Sequence, residues 1–214
     1  MTFTAIDLET WPRREHYLAF REMKLTYSAT VTIDITDLQG TIRLAGLRMY
    51  PTLIWMLTSA ANQFREFRTG LDADGVPGVW DMVHPLYTAL DDHSKLFSGI
   101  WTAYDPDFRA FYDACRRDLA NNTTGAYEPQ PDVPPNVVNI SSLPWVDFTS
   151  FNLNMPSDYL LPILTLGQFG EQDGRTTMPL AIQVHHAVCD GYHLGLLVDA
   201  VRSLAADAST WLIP

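Results

Sequence analysis

Residues 180–193 constrain the fold and the chemistry of this chain more than any other part of its sequence. The segment begins as an apolar run, which is typical of a buried strand, and ends in a polar cluster that includes His185, His186 and Asp190. Consecutive side chains of a strand point to opposite faces of the sheet. We therefore expect His185 and His186 to face different sides, and the rest of the chain to place and shield this segment.

Four interpretations of this polar cluster stay open on the residues alone. A zinc site made by His186, Cys189 and His193 needs ligands within about 2.0–2.3 Å of the metal, so the turn at Asp190 would have to fold back tightly. Cys189 as a nucleophile needs an exposed, activated thiolate. A pair of satisfied core histidines would have no chemical role. A histidine general base needs a rigidly held ring, which Asp190 could orient directly or by pairing with a cation elsewhere.

Composition narrows the class of protein. The 214 residues carry a net charge of −11, which argues against nucleic acid or an anionic membrane as the main partner. Cys115 and Cys189 form no disulfide framework, and we find neither a secretory signal nor an apolar run of about 18 residues. We expect one domain over residues 1–214 and a cytoplasmic location.

Local patterns predict a mixture of strands and helices that does not alternate strictly. Antiparallel hairpins beside long helices indicate an α/β or α+β sandwich with a mixed sheet. Asp105 is expected to cap the fourth helix. Strands are predicted over 27–36, 79–88, 96–104, 136–154, 160–169 and 176–188, and helices from residue 12 and over 37–47, 50–64, 108–119 and 192–206.

The sequence Gln183-Val-His-His-Ala-Val-Cys-Asp-Gly-Tyr-His193 resembles the active-site signature of the chloramphenicol O-acetyltransferases. Its shorter His-x-x-x-Asp-Gly core also occurs in dihydrolipoyl acyltransferases and related CoA-dependent acyltransferases. The likeness extends over nearly the whole chain. It is carried by Trp11-Pro-Arg-Arg-Glu-His16, Ile33-Asp-Ile-Thr36, Tyr50-Pro51, Val79-Trp-Asp81, Asn139-Ile-Ser141, Leu143-Pro-Trp-Val146 and Ser150-Phe-Asn-Leu-Asn154.

This resemblance implies an α/β two-layer sandwich with a mixed, largely antiparallel sheet covered by helices, the CoA-dependent acyltransferase fold. It implies acetyl-CoA-dependent acetylation of the 3-hydroxyl of chloramphenicol in a ternary complex, which inactivates the antibiotic and confers resistance. It further implies a homotrimer with active sites between subunits, with no metal. The alternatives are an O-acetyltransferase for another small hydroxyl compound and a catalytically silent trimeric binding protein.

The resemblance also assigns roles to individual residues. His186 is the general base, Ser141 hydrogen-bonds the tetrahedral oxyanion, and Thr165 helps through a bound water. His185 is structural. Asp190 is expected to form a buried ion pair with Arg13 and to leave the catalytic ring untouched, and His193 is also expected to be structural.

Further positions are matched to the two substrates. Two departures from the family pattern bear on them: the stretch Leu90–Phe97 differs beside the acceptor pocket, and Gln168 replaces a basic CoA-binding residue, which predicts weaker CoA binding. The acceptor positions are Phe20, Tyr27, Thr88, Phe97, Asn139, Phe151 and Leu153, and the CoA positions are Arg48, Trp145 and Phe169.

Overall fold

The computed structural model describes residues 1–154 and 158–212. Strands and helices are mixed along the chain, as the sequence predicts. The strands are β1 (Phe3–Ala5), β2 (Thr26–Asp34), β3 (Thr69–Leu71), β4 (Pro77–Trp80), β5 (His84–Leu90), β6 (Phe97–Trp101), β7 (Val137–Ser142), β8 (Ile163–Leu166), β9 (Gly170–Gln172) and β10 (Arg175–His185). The helices are α1 (Arg14–Glu22), α2 (Thr36–Leu44), α3 (Met49–Asn62), α4 (Phe108–Asn122), α5 (Gly191–Ala206) and α6 (Ser209–Leu212), with a 3-10 turn at Arg65–Arg68.

The large sheet is built around its longest strand, β10. Its strand order is β2-β10-β8-β7-β5-β6, and β9 also pairs with β10. The strand β7 runs parallel to β5 and β8, whereas β10 pairs antiparallel with β2, β8 and β9, and β5 with β6. The sheet is therefore mixed and largely antiparallel. A second, smaller antiparallel sheet has the strand order β1-β4-β3 and is separate from the large sheet.

One face of the large sheet is apolar and packs against the helices. Alternate residues of its central strands, such as Leu180, Ile182 and Ile140, are buried in one hydrophobic cluster with α3 and α5. Since each such side chain contributes about 1.5–3 kcal/mol on burial, this layer supplies much of the stability of the fold. The helix α3 is buried over Pro51–Ala61, which explains its lack of a polar face. The two-layer α/β sandwich is confirmed.

The opposite face of the same sheet carries polar side chains. Ser141 of β7 is in register with Thr165 of β8, which is in register with Ala181 of β10. One step along, Asn139 is aligned with Ile163 and Ile163 with Gln183. Because residues two apart in a strand share a face, these rows form one surface, which we call the polar face.

Several predicted boundaries are wrong for local reasons. The strand expected over 79–88 is divided between the two sheets, because the Asn62 side chain takes both hydrogen bonds of the Val83 backbone, at 2.8 and 3.0 Å, in place of a neighbouring strand. The cap of α4 is Asp107, which accepts from the Ala110 N–H at 2.8 Å; Asp105 instead accepts from the Asp107 N–H at 2.8 Å.

The strand predicted over 136–154 is also shorter than expected. It ends at Ser142, two residues before Pro144, which has no N–H to donate to a neighbouring strand. Likewise, the strand predicted over 160–169 is reduced to Ile163–Leu166, after Pro162. Among the helices formed by residues 1–154 and 158–212, none has the length and apolar character needed to cross a bilayer.

Candidate active site

The turn between β10 and α5 separates the two neighbouring histidines. The strand ends at His185, and residues 186–188 form a turn where the sequence predicted continued extension. His185 is 1% exposed, and its Nδ1 accepts a hydrogen bond from the Ala187 N–H at 3.1 Å. The His186 side chain is 30% exposed. One histidine is thus enclosed in the protein, while the other presents part of its ring to the outside.

Two aromatic side chains hold the ring of His186. Phe20 of α1 stacks on it with ring centroids 4.2 Å apart and planes 17° apart, and Tyr27 of β2 lies 4.9 Å away at 59°. The backbone N–H of His186 donates to Leu25 O at 2.9 Å. Burial raises the pKa of the Tyr27 phenol, so that group stays neutral beside the histidine. The ring is therefore fixed in position with one edge accessible.

Arg13, just before α1, clamps the turn from the other side. Its Nη2 donates to the carbonyl of His186 at 2.8 Å and its Nε to the carbonyl of Ala187 at 2.7 Å. Both Nη atoms also bind the carboxylate of Asp190. These hydrogen bonds from Arg13, opposed by partial burial, hold the pKa of Asp190 below its ordinary value.

The Arg13–Asp190 pair differs from expectation in two respects. The pair is only partly buried, with 15% of the Arg13 side chain and 36% of the Asp190 side chain exposed. Asp190 also approaches the ring of His186, with 3.2 Å between Oδ1 and Nδ1, so the expectation that it leaves the ring untouched is wrong. The contact does not have the geometry of a hydrogen bond, since Nδ1 is buried without a hydrogen-bond partner, so the interaction is electrostatic.

A large cavity opens at the other end of the polar face. It has a volume of about 1120 Å³ and lies between the first turn of α3, the last turns of α4 and the ends of β5, β7 and β8. It brings together six of the residues singled out from the sequence: Arg48, Thr88, Phe97, Ser141, Trp145 and Phe169.

Ser141 and His186 do not meet within this chain. Ser141 is aligned through Thr165 with Ala181, which precedes His185 by four residues and lies two strands away from Ser141. At about 3.3 Å per residue and 4.8 Å per strand, the backbones at Ser141 and His185 are roughly 16 Å apart. His186 is not one of the described residues that line the cavity. The single chain therefore presents two half-sites, one around His186 and one around Ser141.

The remaining predicted residues are not among the described residues that line the cavity. Asn139 donates to Tyr159 Oη at 2.6 Å, and the Leu153 N–H donates to Gln183 Oε1 at 2.8 Å. The ring of Phe151 packs on Phe148 at 5.4 Å. Thr165 is 2% exposed between β7 and β10. In the isolated subunit these residues are held by internal contacts.

The structure also bears on the other interpretations of the histidine segment. Cys189 is 1% exposed, and burial raises the pKa of its thiol to about 12, which is the opposite of an activated nucleophile. His193 accepts from the Asp190 N–H at 3.0 Å through Nδ1 and so stabilises the start of α5. Within residues 1–154 and 158–212, no three His, Cys, Asp or Glu side chains are grouped closely enough to hold a metal ion.

Sequence reasoning missed the wall of the cavity that α4 contributes. Arg116, Leu119, Ala120 and Thr123 all line the cavity. Their spacing of three, four and seven residues is the spacing of one helix face, so the signal is present in the sequence. It was missed because a stripe of mixed polar and apolar residues at the end of a helix ordinarily indicates a partly solvated face.

Comparison with known proteins places this geometry in a family. Residues 1–202 match the family model described as chloramphenicol acetyltransferase. The chain is 44% identical over 218 residues to a chloramphenicol acetyltransferase of Clostridium perfringens, with 99% of each chain covered. It is 42% identical over 216 residues to one of Staphylococcus aureus, with 100% of each chain covered.

Solved structures agree on the fold. A chloramphenicol acetyltransferase structure superposes with a TM-score of 0.85 at 24% identity, covering 95% of this chain and 100% of the other. A dihydrolipoamide acetyltransferase of Azotobacter vinelandii superposes with a TM-score of 0.65 at 17% identity, covering 93% and 88%. On the full-length sequence matches, this chain belongs to the chloramphenicol acetyltransferase family.

Proposed function

We propose that this protein transfers the acetyl group of acetyl-CoA to the 3-hydroxyl of chloramphenicol and so inactivates the antibiotic. The observation that carries the proposal is the identity of 42–44%, over nearly the entire length, to proteins named for that activity. The fixed, partly exposed ring of His186 supports it, because a transfer to a hydroxyl needs a positioned base.

In the proposed mechanism His186 is the general base. Its Nδ1 is buried against Asp190, which leaves Nε2 to receive a proton. The acceptor hydroxyl gives its proton to Nε2 as its oxygen attacks the thioester carbonyl. The carboxylate of Asp190 lies 3.2 Å from Nδ1, the ring nitrogen that does not receive the proton. When the tetrahedral intermediate collapses, the C–S bond breaks and the imidazolium returns the proton to the CoA thiolate.

The oxyanion of that intermediate is assigned to the other half-site. Ser141 lines the cavity, and Thr165 is its neighbour in register on β8. A hydroxyl placed where negative charge develops stabilises the transition state more than the ground state. We propose that Ser141 donates to the oxyanion and that Thr165 supports it through a bound water.

The separation of the two half-sites supports a homotrimer with active sites between subunits. His186 of one subunit would face Ser141 and Thr165 of its neighbour, because no single chain brings them together. A closed ring of identical subunits satisfies this need at every interface. Phe20 and Tyr27 would then supply the acceptor pocket from one subunit, and the remaining acceptor positions, Thr88, Phe97, Asn139, Phe151 and Leu153, from the next.

The cavity is proposed as the channel for acetyl-CoA. Arg48 and Trp145 stand among its lining residues with Phe169, and Ser141 lies in the same space. Since the chain carries a net charge of −11, a polyanionic ligand needs local cations of this kind. The single domain over residues 1–214, the cytoplasmic location and the absence of a metal stay predictions.

The substrate pair is tested by following thiol release from acetyl-CoA with a thiol reagent. We expect release that depends on chloramphenicol and yields its 3-acetyl ester, identified by mass spectrometry. A panel of other small alcohols serves as the comparison, because the changed stretch Leu90–Phe97 forms the β5–β6 turn beside Thr88. Turnover with another alcohol alone would replace the named acceptor, and none with any acceptor would leave a silent binding protein.

His186→Ala is expected to reduce the turnover rate by about 10²–10⁴-fold, the usual contribution of a general base. Its fold and oligomeric state should be unchanged. His185→Ala is the matched control: it removes an enclosed ring and its hydrogen bond, so it should lower stability by about 1–3 kcal/mol. Loss of activity in a fully stable His185 variant would show that the roles of the two histidines are reversed.

Mixed oligomers test whether the site is shared. His186→Ala and Ser141→Ala chains are each expected to be inactive on their own as trimers. Every mixed trimer formed by refolding them together has one interface that combines an intact His186 with an intact Ser141. About one quarter of wild-type activity should therefore return from an equal mixture. If the two residues served one site within a subunit, refolding them together would restore nothing.

Asp190→Asn is expected to lower the free energy of unfolding at pH 7 by about 1–3 kcal/mol, less than for a fully buried pair because Asp190 is 36% exposed. Because the pKa of Asp190 is lowered in the folded state, its carboxylate stabilises the folded protein at pH values above the ordinary pKa of about 4. This stabilisation is lost as the pH falls through the lowered pKa. Urea unfolding of variant and wild type should thus converge in acid. Glu9→Gln, which breaks the exposed pair with Arg14, should change stability by about 0.5 kcal/mol or less.

A further inference from the structure

Two arginines from different helices stand at the same cavity and are linked by one buried tyrosine. Tyr112 is 2% exposed, and its hydroxyl accepts a hydrogen bond from the Arg48 backbone N–H at 2.8 Å. The guanidinium carbon of Arg116, one turn further along α4, lies 5.8 Å from the centre of the same ring. Arg48 and Arg116 both line the cavity. Tyr112 therefore contacts the backbone of Arg48 and the guanidinium of Arg116, and both arginines line this cavity.

These two charges have no acidic partner among the described residues. None of the ion pairs within 4.0 Å in the described part of the chain includes Arg48 or Arg116. By contrast, Arg109 of the same helix lies 3.8 Å from Asp113. Other cations of the chain also lack an ion pair, but Arg48 and Arg116 line the same cavity in a chain with 25 acidic and 14 basic residues. They would attract a ligand with more than one negative charge.

We propose that Arg116 binds the nucleotide phosphates of acetyl-CoA, as a second cation beside Arg48. This assignment rests on the proposed use of the cavity for acetyl-CoA. Gln168, which lines the same cavity, stands where the family resemblance predicts a basic residue. Arg116 supplies a positive charge from α4 instead, so the expected weakening of CoA binding by Gln168 is offset. A guanidinium suits this task because its planar N–H groups match two phosphate oxygens at once.

Arg116→Gln tests the assignment, and Arg117→Gln is its matched control. Arg117 is the next residue of α4, is exposed and is not among the residues that line the cavity, so its substitution changes the net charge equally. The Kd for CoA is measured by titration calorimetry. The KM is measured for acetyl-CoA and for S-acetylpantetheine, which has the thioester but no nucleotide phosphates.

For Arg116→Gln we expect the Kd for CoA and the KM for acetyl-CoA to rise about three- to tenfold, the range between an exposed ion pair and a charge-assisted hydrogen bond. The KM for S-acetylpantetheine should stay unchanged, and Arg116→Lys should recover part of the affinity. The rise should diminish with added salt. Arg117→Gln should leave all of these constants unchanged.

Three results would overturn the assignment: wild-type affinity for CoA in Arg116→Gln, an equal loss in Arg117→Gln, or an equal rise in KM for S-acetylpantetheine. The calorimetric titration needs no turnover. If the wild-type protein failed to acetylate any acceptor, the proposed function would fail, while the Kd for CoA would still decide the role of Arg116.

Discussion

The arrangement of this molecule depends on the hydrogen bonds that Arg13 makes to the turn after β10. The carbonyls of His186 and Ala187 lie beyond the last pair of the sheet, so they need partners outside it. One guanidinium binds both carbonyls and the Asp190 carboxylate at the start of α5. A single side chain thereby joins the beginning of the chain to the segment that carries the proposed base. Its fork of donors can do this where a lysine could not.

The large sheet positions the two half-sites, one at the turn after β10 and the other at the end of β7. Its apolar face binds the helices and supplies the core, while its polar face carries Thr165 and, at the cavity, Ser141. The same antiparallel strand, β10, runs from the row of Ser141 to the turn at His186. Because the strand is stiff and extended, it keeps the backbones of His185, next to the proposed base, and Ser141 roughly 16 Å apart within one chain. In the proposed mechanism a neighbouring subunit therefore completes the site.

The distribution of charged side chains also bears on the proposed function. The chain is strongly acidic, yet Arg48 and Arg116 lack carboxylate partners among the described residues, and both contact Tyr112, Arg48 through its backbone N–H and Arg116 through its guanidinium. Several other cations form ion pairs, such as Arg13 with Asp190, Arg21 with Asp158 and Arg175 with Asp34. An unfavourable overall field with a favourable local site would let the cavity select a polyanion without making the whole surface attractive to nucleic acid.

Sequence alone determined the fold class and the helix α3, since strand and helix patterns are local properties. It predicted the contrast between His185 and His186 from strand alternation, whereas in the structure the strand ends at His185 and a turn over residues 186–188 separates the two side chains. It also identified the Arg13–Asp190 pair, through a resemblance in the residues around it. Only the tertiary structure decided that Asn62 breaks the strand near Val83, that Asp190 reaches the ring of His186, and that α4 brings Arg116 to the cavity. Each of these depends on side chains distant in sequence, whose distances no local pattern encodes. For the same reason the separation of Ser141 from His186 became visible only once the strands were paired in register.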